Sequence, residues 1–295
     1  MQPKDSLNLF RLNNEMKKVN LVIFGTKNKF NLSKIRLQNQ AIESGWFDRI
    51  FMYGEDDIRK KYYDGGDVRN EKHAKHETNS YFSNFWWKPG VTLKALNELS
   101  DDDILLYLDA GCAINHKGAK RFQEYVEMCD RGPGFLGFGA SRKNYVPGHP
   151  DFPTEATHTK RDVLKLLDCD YPMMIETCQI TAGVFFVKKN EFGMNLIEEW
   201  DKLAQIDFYF NDCPGYHENY PGFIGHKHDQ SILSLLVKKR WDQLDDFLLE
   251  SRKVAAPRNN DPRFEEPIKA MRIIDDHKNT TKWLYPNAPF STDIL

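Results

Sequence analysis

No stretch of the chain approaches the ~18–20 consecutive apolar residues of a membrane span, and residues 1–18 are too polar for the apolar core of a secretory signal. Cysteine is scarce and odd in number: Cys112, Cys129, Cys169, Cys178 and Cys213, with no Cys-X-X-Cys pair. That argues against a disulfide framework and a zinc ribbon. Reduced thiols in a soluble, cytoplasmic protein are the expectation. Charge of one sign is also missing. Lys and Arg number 41 against 43 Asp and Glu, a net charge of −2. A protein that grips many phosphates by its field alone is basic, so no nucleic-acid partner is expected. No glycine-rich phosphate loop follows a strand and opens a helix, which disfavours dinucleotide dehydrogenases and P-loop NTPases. GxSxG and HExxH are absent, which disfavours an α/β hydrolase and a zincin protease.

What the chain does have is a core. Hydrophobic residues make up 40% of the 295, with 20 Phe, 12 Tyr and 6 Trp. Val19-Asn-Leu-Val-Ile-Phe24 is short, rich in apolar residues and closed by Gly25, as a strand buried on both faces should be. The spacing of Leu32, Ile35, Leu37 and Ile42 predicts a helix ended by Gly45. A second strand follows at Ile50-Phe-Met-Tyr53, completing a unit of βαβ size. Further strands are predicted at 104–108, 135–138, 180–187 and 272–274. Helices are predicted at 89–99, 117–129, 161–167, 191–203 and 228–239, the last capped by Asp229 or Ser231. Residues 58–85 read as a long polar excursion. Alternating strands and helices with no linker-like break predict an α/β fold: one domain over 1–295, with a mainly parallel central sheet flanked by helices.

In open α/β sheets ligands bind outside the carboxyl ends of the strands. That rule selects Gly25-Thr-Lys27, Gly54-Glu55 and Asp109-Ala-Gly111. Asp109 follows five residues of a buried strand, where a carboxylate is placed to hold a divalent cation against a diphosphate. The plainer alternative is a turn or a helix cap. Phe85-Trp-Trp-Lys-Pro89 gathers aromatics around one cation: either a staple at a helix start, or a platform holding Lys88 near a phosphate. His226-Lys-His228-Asp229 looks like a metal cluster, but His residues two apart on a strand point to opposite faces. His226 is expected on a surface loop.

Taken in order, Phe85-Trp-Trp-Lys-Pro89, Asp103-Ile-Leu-Leu-Tyr-Leu-Asp-Ala-Gly-Cys112, Gln179-Ile-Thr-Ala-Gly183, Trp200 and His228-Asp-Gln-Ser-Ile-Leu-Ser-Leu235 resemble a family of GT-A-type glycosyltransferases of bacterial polysaccharide loci and large DNA viruses. The resemblance spans about residues 19–280. It implies a Rossmann-like nucleotide-sugar fold, a UDP-sugar donor, a glycan hydroxyl as acceptor, and Mn²⁺ or Mg²⁺ bound by a DxD motif. Here that position reads Asp109-Ala-Gly111, without the second carboxylate. His277-Lys-Asn-Thr-Thr-Lys-Trp283 is similar to an HxxGxxKPW element, which implies His277 as a metal ligand and Lys282 as a phosphate ligand. The resemblance implies that Gln179 and Gly183 line the donor-sugar pocket; Gly25, Thr26, Lys27 and Gly111, from the sheet-edge rule, and Lys88, from the aromatic run, are the other expected donor-site residues. Asp229 and Gln230 are the implied catalytic pair. Asp229 is a general base if the reaction inverts, and a binding or charge-stabilising group if it retains. Its place at a helix start is expected to favour the ionised form and lower its basicity. The alternatives are a sugar-nucleotide pyrophosphorylase and a non-catalytic glycan-binding module.

Overall fold

The computed structural model describes residues 19–26, 30–58, 84–139, 153–206 and 215–240, with short pieces at 250–251, 267–269, 273–275 and 281–283. Most of the polar excursion at 58–85 lies outside the described residues, as do Lys27 and His277.

β1 (Val19–Phe24) is buried along its whole length. α1 (Asn31–Ser44) ends on Gly45, whose φ of 66° is the left-handed conformation that lets a chain leave a helix without a Cβ clash. β2 (Phe47–Tyr53) returns parallel to β1. α2 (Lys88–Asn97) starts with Pro89 in its first turn, where the missing N–H costs no helical hydrogen bond. β3 (Ile104–Asp109) and the two-residue β4 (Ala113–Ile114) follow. Next come α3 (Ala119–Arg131) and β5 (Phe135–Gly139). Gly132-Pro-Gly-Phe-Leu-Gly137 has the lettering of a dinucleotide fingerprint. It joins the end of α3 to β5, the reverse of the strand-to-helix order that such a loop needs. Three short helices, α4 (Glu155–His158), α5 (Arg161–Leu166) and α6 (Pro172–Ile175), lead to β6 (Ile180–Lys188). α7 (Glu191–Ala204) and α8 (Asp229–Lys238) complete the helical layer. Among the described residues no helix is long and apolar enough to cross a membrane.

The fold is mixed α/β, with a central sheet in the order β2-β1-β3-β6-β5-β7, β7 being Glu250–Ser251. β2, β1 and β3 are parallel, β6 runs against both its neighbours, and β5 and β7 return to the first direction. The sheet is therefore mainly parallel, with β6 as the reversed strand. Alternation splits its side chains between two cores. Val22, Phe24, Leu105 and Tyr107 pack with α2, α5, α7 and α8. Leu21, Ile23, Leu106 and Leu108 pack with α1 and α3. In β6 the alternation breaks at Gly183. Ile180 and Ala182 share one core with Phe185 and Val187, while Val184 and Phe186 face the other. The pairing of β5 with β6 is irregular over the same stretch, between Gly137 and Gly139. Such an irregularity re-aims the strand beside a site.

Three local expectations are corrected. Neither Asp229 nor Ser231 caps α8: His228 is the N-cap, makes no side-chain capping bond, and Asp229 is the first helical residue. β8 (Ile268–Lys269) pairs antiparallel with β4, and the expected strand at 272–274 is Ile273–Asp275 (β9), half of an antiparallel pair with Thr281–Trp283 (β10). Trp87 is a core residue stacked on Phe24 at 3.7 Å, so that part of the aromatic platform is packing.

Candidate active site

Sheet register assembles the site. Asp109 closes β3 beside Phe24, and the pairing of Leu108 with Val184 brings Gly183 alongside the carboxylate. The start of α2 lays Lys88 across the same edge, and the start of α8 brings Asp229 from the other side. Lys88 Nζ stands 3.2 Å from Asp109 Oδ1 and 2.6 Å from Asp229 Oδ2. It also donates to the Ala182 carbonyl at 3.1 Å. The two carboxylate contacts are ion pairs, and the hydrogen bond that the ammonium donates goes to the Ala182 carbonyl. Tyr107 donates its hydroxyl to Asp109 Oδ1 at 2.9 Å. The side chains of Lys88 and Asp229 are 3% and 5% exposed, whereas that of Asp109 is 40% exposed, so the cluster has two sealed members and one open one.

These groups floor a cleft of about 430 Å³. Phe85 and Lys88 contribute from the start of α2, Asp109 from β3, and Ala182 and Gly183 from β6. His158 at the end of α4, the segment 224–228 and the first residues of α8 form the rest. Phe85 and His228 have positive φ, 55° and 45°. Two bulky residues of positive φ in the cleft lining mark a place where local strain is tolerated, as at sites under functional constraint.

Burial works against the Lys88 ammonium, but Asp109 and Asp229 outweigh it and its pKa is raised. Burial raises the Asp229 pKa, and the Asp109 charge adds to this, while Lys88 opposes both. The expectation of lowered basicity at a helix start is therefore reversed, because loss of water outweighs the helix end. His158 is pushed down to about 4 by burial and by Lys227, so its ring is neutral near pH 7. His226 is buried rather than on a surface loop, its Nδ1 accepting from the Lys160 backbone N–H at 3.2 Å.

Asp109 Oδ2 accepts no hydrogen bond among the described residues, and it faces the position where a Cβ on Gly183 would sit, 2.8 Å away. A partly exposed carboxylate oxygen without a partner fits a hard divalent cation whose remaining ligands come from a diphosphate and water. Among the described residues no group of three or more His, Cys, Asp or Glu side chains is assembled to hold a metal.

Of the sequence-expected residues, Lys88, Asp109, Gly183, Asp229 and Gln230 converge on the cleft. Gln179 is buried one layer behind Gln230, to which its Oε1 is hydrogen-bonded at 2.8 Å. Gly25 and Thr26 follow β1 at the same sheet edge but are not part of the cleft lining. A Cβ on Gly25 would stand 2.8 Å from the Phe30 carbonyl, so this glycine serves a tight turn. Gly111 is buried in the turn after β3, outside the lining. Lys282 lies on β10, and only its backbone is described. Sequence reasoning missed His158, which no motif marks, and assigned no role to Ala182, although it lies inside the run Gln179–Gly183. It also missed Arg36, whose guanidinium ties down the carbonyls of Ala110 and Cys112 at 3.2 and 2.9 Å and so braces the turn after Asp109.

The closeness of Gly183 to Asp109 gives a direct expectation. Gly183→Ala should leave the fold intact, since its backbone is not in the left-handed region. The new methyl must displace the Asp109 carboxylate. A thermal melt within a few degrees of wild type, with binding of a nucleoside diphosphate weakened about tenfold or more, is expected, a loss of roughly 1.4 kcal/mol. Unchanged binding would mean that the carboxylate position does not matter.

No protein-family model matches the chain. No curated protein matches it either. Among solved structures, it is similar to a galactosyltransferase, LgtC, in complex with donor and acceptor sugar analogues. The TM-score is 0.43 and the identity 14%, covering 94% of this chain and 91% of that one. It is similar to mouse xyloside xylosyltransferase 1 with a TM-score of 0.38 and 11% identity over 81% and 87% of the two chains. A glycosyltransferase involved in glycosylation of the major capsid of PBCV-1 gives a TM-score of 0.34 and 11% identity over 70% and 81%.

Proposed function

We propose that this chain is a GT-A-type glycosyltransferase that moves a sugar from a nucleoside-diphosphate sugar, a UDP-sugar in the first instance, to a glycan hydroxyl. The observation that carries the reading is the Lys88–Asp109–Asp229 cluster at the carboxyl edge of a mainly parallel sheet, flooring a cleft of sugar-binding size. In such a transfer the bond from the anomeric carbon to the diphosphate breaks and its electron pair leaves with the phosphate. The acceptor oxygen forms the new bond and gives up its proton. Positive charge develops on the sugar ring while negative charge grows on the leaving group.

The residues divide these tasks. Asp229, in a nearly dry environment beside Lys88, supplies negative charge to the cleft floor, where an anion acts more strongly than it would in water. Lys88 keeps two carboxylates together that would otherwise repel, and its burial makes it a structural cation rather than a mobile phosphate clamp. Asp109 Oδ2 would hold Mn²⁺ or Mg²⁺. A divalent ion there supplies charge neutralisation to the departing diphosphate.

The test is donor hydrolysis, which needs no acceptor. Purified chain is incubated with UDP-glucose, UDP-galactose, UDP-xylose, UDP-N-acetylglucosamine and GDP-mannose, with Mn²⁺ or with chelator. Release of nucleoside diphosphate from one donor, lost in Asp109→Asn, is expected. No release from any donor and no binding of UDP would leave a glycan-binding module. Formation of nucleoside triphosphate on adding pyrophosphate would instead indicate a pyrophosphorylase.

A further inference from the structure

We propose that a buried relay, Lys238–Glu155–Gln179, dictates which end of the Gln230 amide meets the cleft, so that Gln230 presents its carbonyl oxygen there and Glu155 and Gln179 act as positioning residues. The geometry stands by itself, whereas its catalytic consequence rests on the glycosyl-transfer reading.

The relay begins with an ion pair sealed from water. Lys238 Nζ is 2.5 Å from Glu155 Oε1 and 2.8 Å from Thr177 Oγ1. Ser234 donates to Glu155 Oε1 at 2.6 Å, and Thr159 donates to Oε2 at 2.5 Å. The next link is the Gln179 amide. One end of it faces Glu155 Oε2 at 3.2 Å and the His158 carbonyl at 3.2 Å. A carboxylate oxygen and a carbonyl only accept, so that end must be the NH₂ group. Thr159 Oγ1 and Ser231 Oγ lie within 3.0 Å of the same nitrogen. The carbonyl end of Gln179 is then left facing Gln230 at 2.8 Å, and two carbonyl ends cannot pair. Gln230 must offer its NH₂, and its Oε1 is turned away from the relay. That oxygen accepts no hydrogen bond among the described residues, and Gln230 lines the cleft.

Two elements make this possible. Ser231, Ser234 and Lys238 recur every three or four residues, so they share one face of α8. That face looks onto Gln179 and Glu155 rather than onto an apolar core. A satisfied buried network of this kind holds one arrangement because every alternative leaves a polar group unpaired. The chemical consequence is selective. An acceptor oxygen of fixed direction takes a hydrogen bond from a hydroxyl and repels a phosphate or carboxylate. This part of the cleft therefore suits a sugar hydroxyl, while the anionic part of a donor belongs on the Asp109 side.

The orientation is tested without turnover. In protein labelled with ¹⁵N-glutamine, the Gln230 side-chain NH₂, assigned by its loss in Gln230→Met, should exchange slowly with solvent. Its exchange should accelerate about tenfold or more in Gln179→Met, the order expected for losing one hydrogen bond of roughly 1.4 kcal/mol. Exchange that is fast in the wild type, or unchanged in Gln179→Met, overturns the proposal. Gln230→Glu gives an independent reading should Gln179→Met fail to fold. Its carboxylate would oppose the Gln179 carbonyl, and only its protonated form could donate. Its pKa, followed by ¹³C NMR, should lie above the ordinary ~4.3, and an ordinary value overturns the relay. On donor hydrolysis, Gln179→Met should lower kcat about tenfold with little change in KM, and should have no further effect in a Gln230→Met background. Multiplicative losses would make Gln179 merely structural. If the wild type hydrolyses none of the nucleotide sugars, the transferase reading fails, and the exchange measurement still decides the relay.

Discussion

Lys88→Met is expected to destabilise the protein by about 3–5 kcal/mol at neutral pH, the usual cost of removing one partner from a buried ion pair. The substitution keeps the apolar stem but takes the ammonium away from Asp229, which is 4% exposed and has the charge of Asp109 nearby. The groups facing Asp229 are then the Asp109 carboxylate, the Tyr107 hydroxyl and His228. The loss should depend on pH in a definite direction. The folded pKa of Asp229 is already raised by burial, and removal of Lys88 raises it further. A group with a raised folded pKa is tolerated when protonated, below the unfolded value of ~3.9, and its stabilisation is lost as pH rises through the folded value. The deficit relative to wild type should therefore be small in acid and grow toward neutrality. Urea unfolding across that range measures it. A deficit independent of pH would mean that Lys88 matters through packing alone.

Asp229→Asn is expected to leave the protein folded and still able to bind a nucleoside diphosphate, while transfer falls by about 10²–10⁴. A helix-capping role for Asp229 would predict near-normal stability and near-normal transfer, because Asn caps a helix nearly as well as Asp. The structure removes that role, because His228 is the N-cap and no side-chain capping bond is made. Asparagine keeps the shape, and Lys88 keeps Asp109 and the Ala182 carbonyl as partners, so the change isolates the charge. Calorimetry with UDP and a donor-consumption assay give the two readouts. Product stereochemistry then assigns the role. Inversion makes Asp229 the base that takes the acceptor proton, and retention makes it the stabiliser of positive charge on the ring. Near-normal transfer by Asp229→Asn would remove Asp229 from the chemistry.

The strands and the sheet edge were legible because their signals are local. A short apolar run closed by glycine or aspartate, as at 19–25 and 104–109, states a strand and its carboxyl end, and the rule that ligands gather at that end led directly to Asp109. Pro89 and Gly45 marked helix boundaries for equally local backbone reasons. The motifs around Lys88, Gly183 and Asp229 were visible as residues, but their meeting was not, since it depends on strand order. β6 is inserted antiparallel between β3 and β5, a pairing between segments about 70 residues apart that no periodicity encodes.

Burial decided the rest. From the sequence, Lys88 was a candidate for touching phosphate and His226 a surface residue. In the fold both are enclosed, and Lys88 becomes the counter-ion of two carboxylates. Asp229 was expected to be a weaker base because of its helix end. Desolvation, a property of everything packed around it, sets the opposite direction. Glu155 and Lys238 stood in unremarkable polar contexts more than 80 residues apart, and only packing makes them the anchor for a glutamine at the cleft. The sequence by itself determined the alternation of strands and helices, the sheet edge and the acid that ends β3. The tertiary structure alone decided which charges lose their water and which face each other, because solvation and pairing depend on neighbours that are distant along the chain.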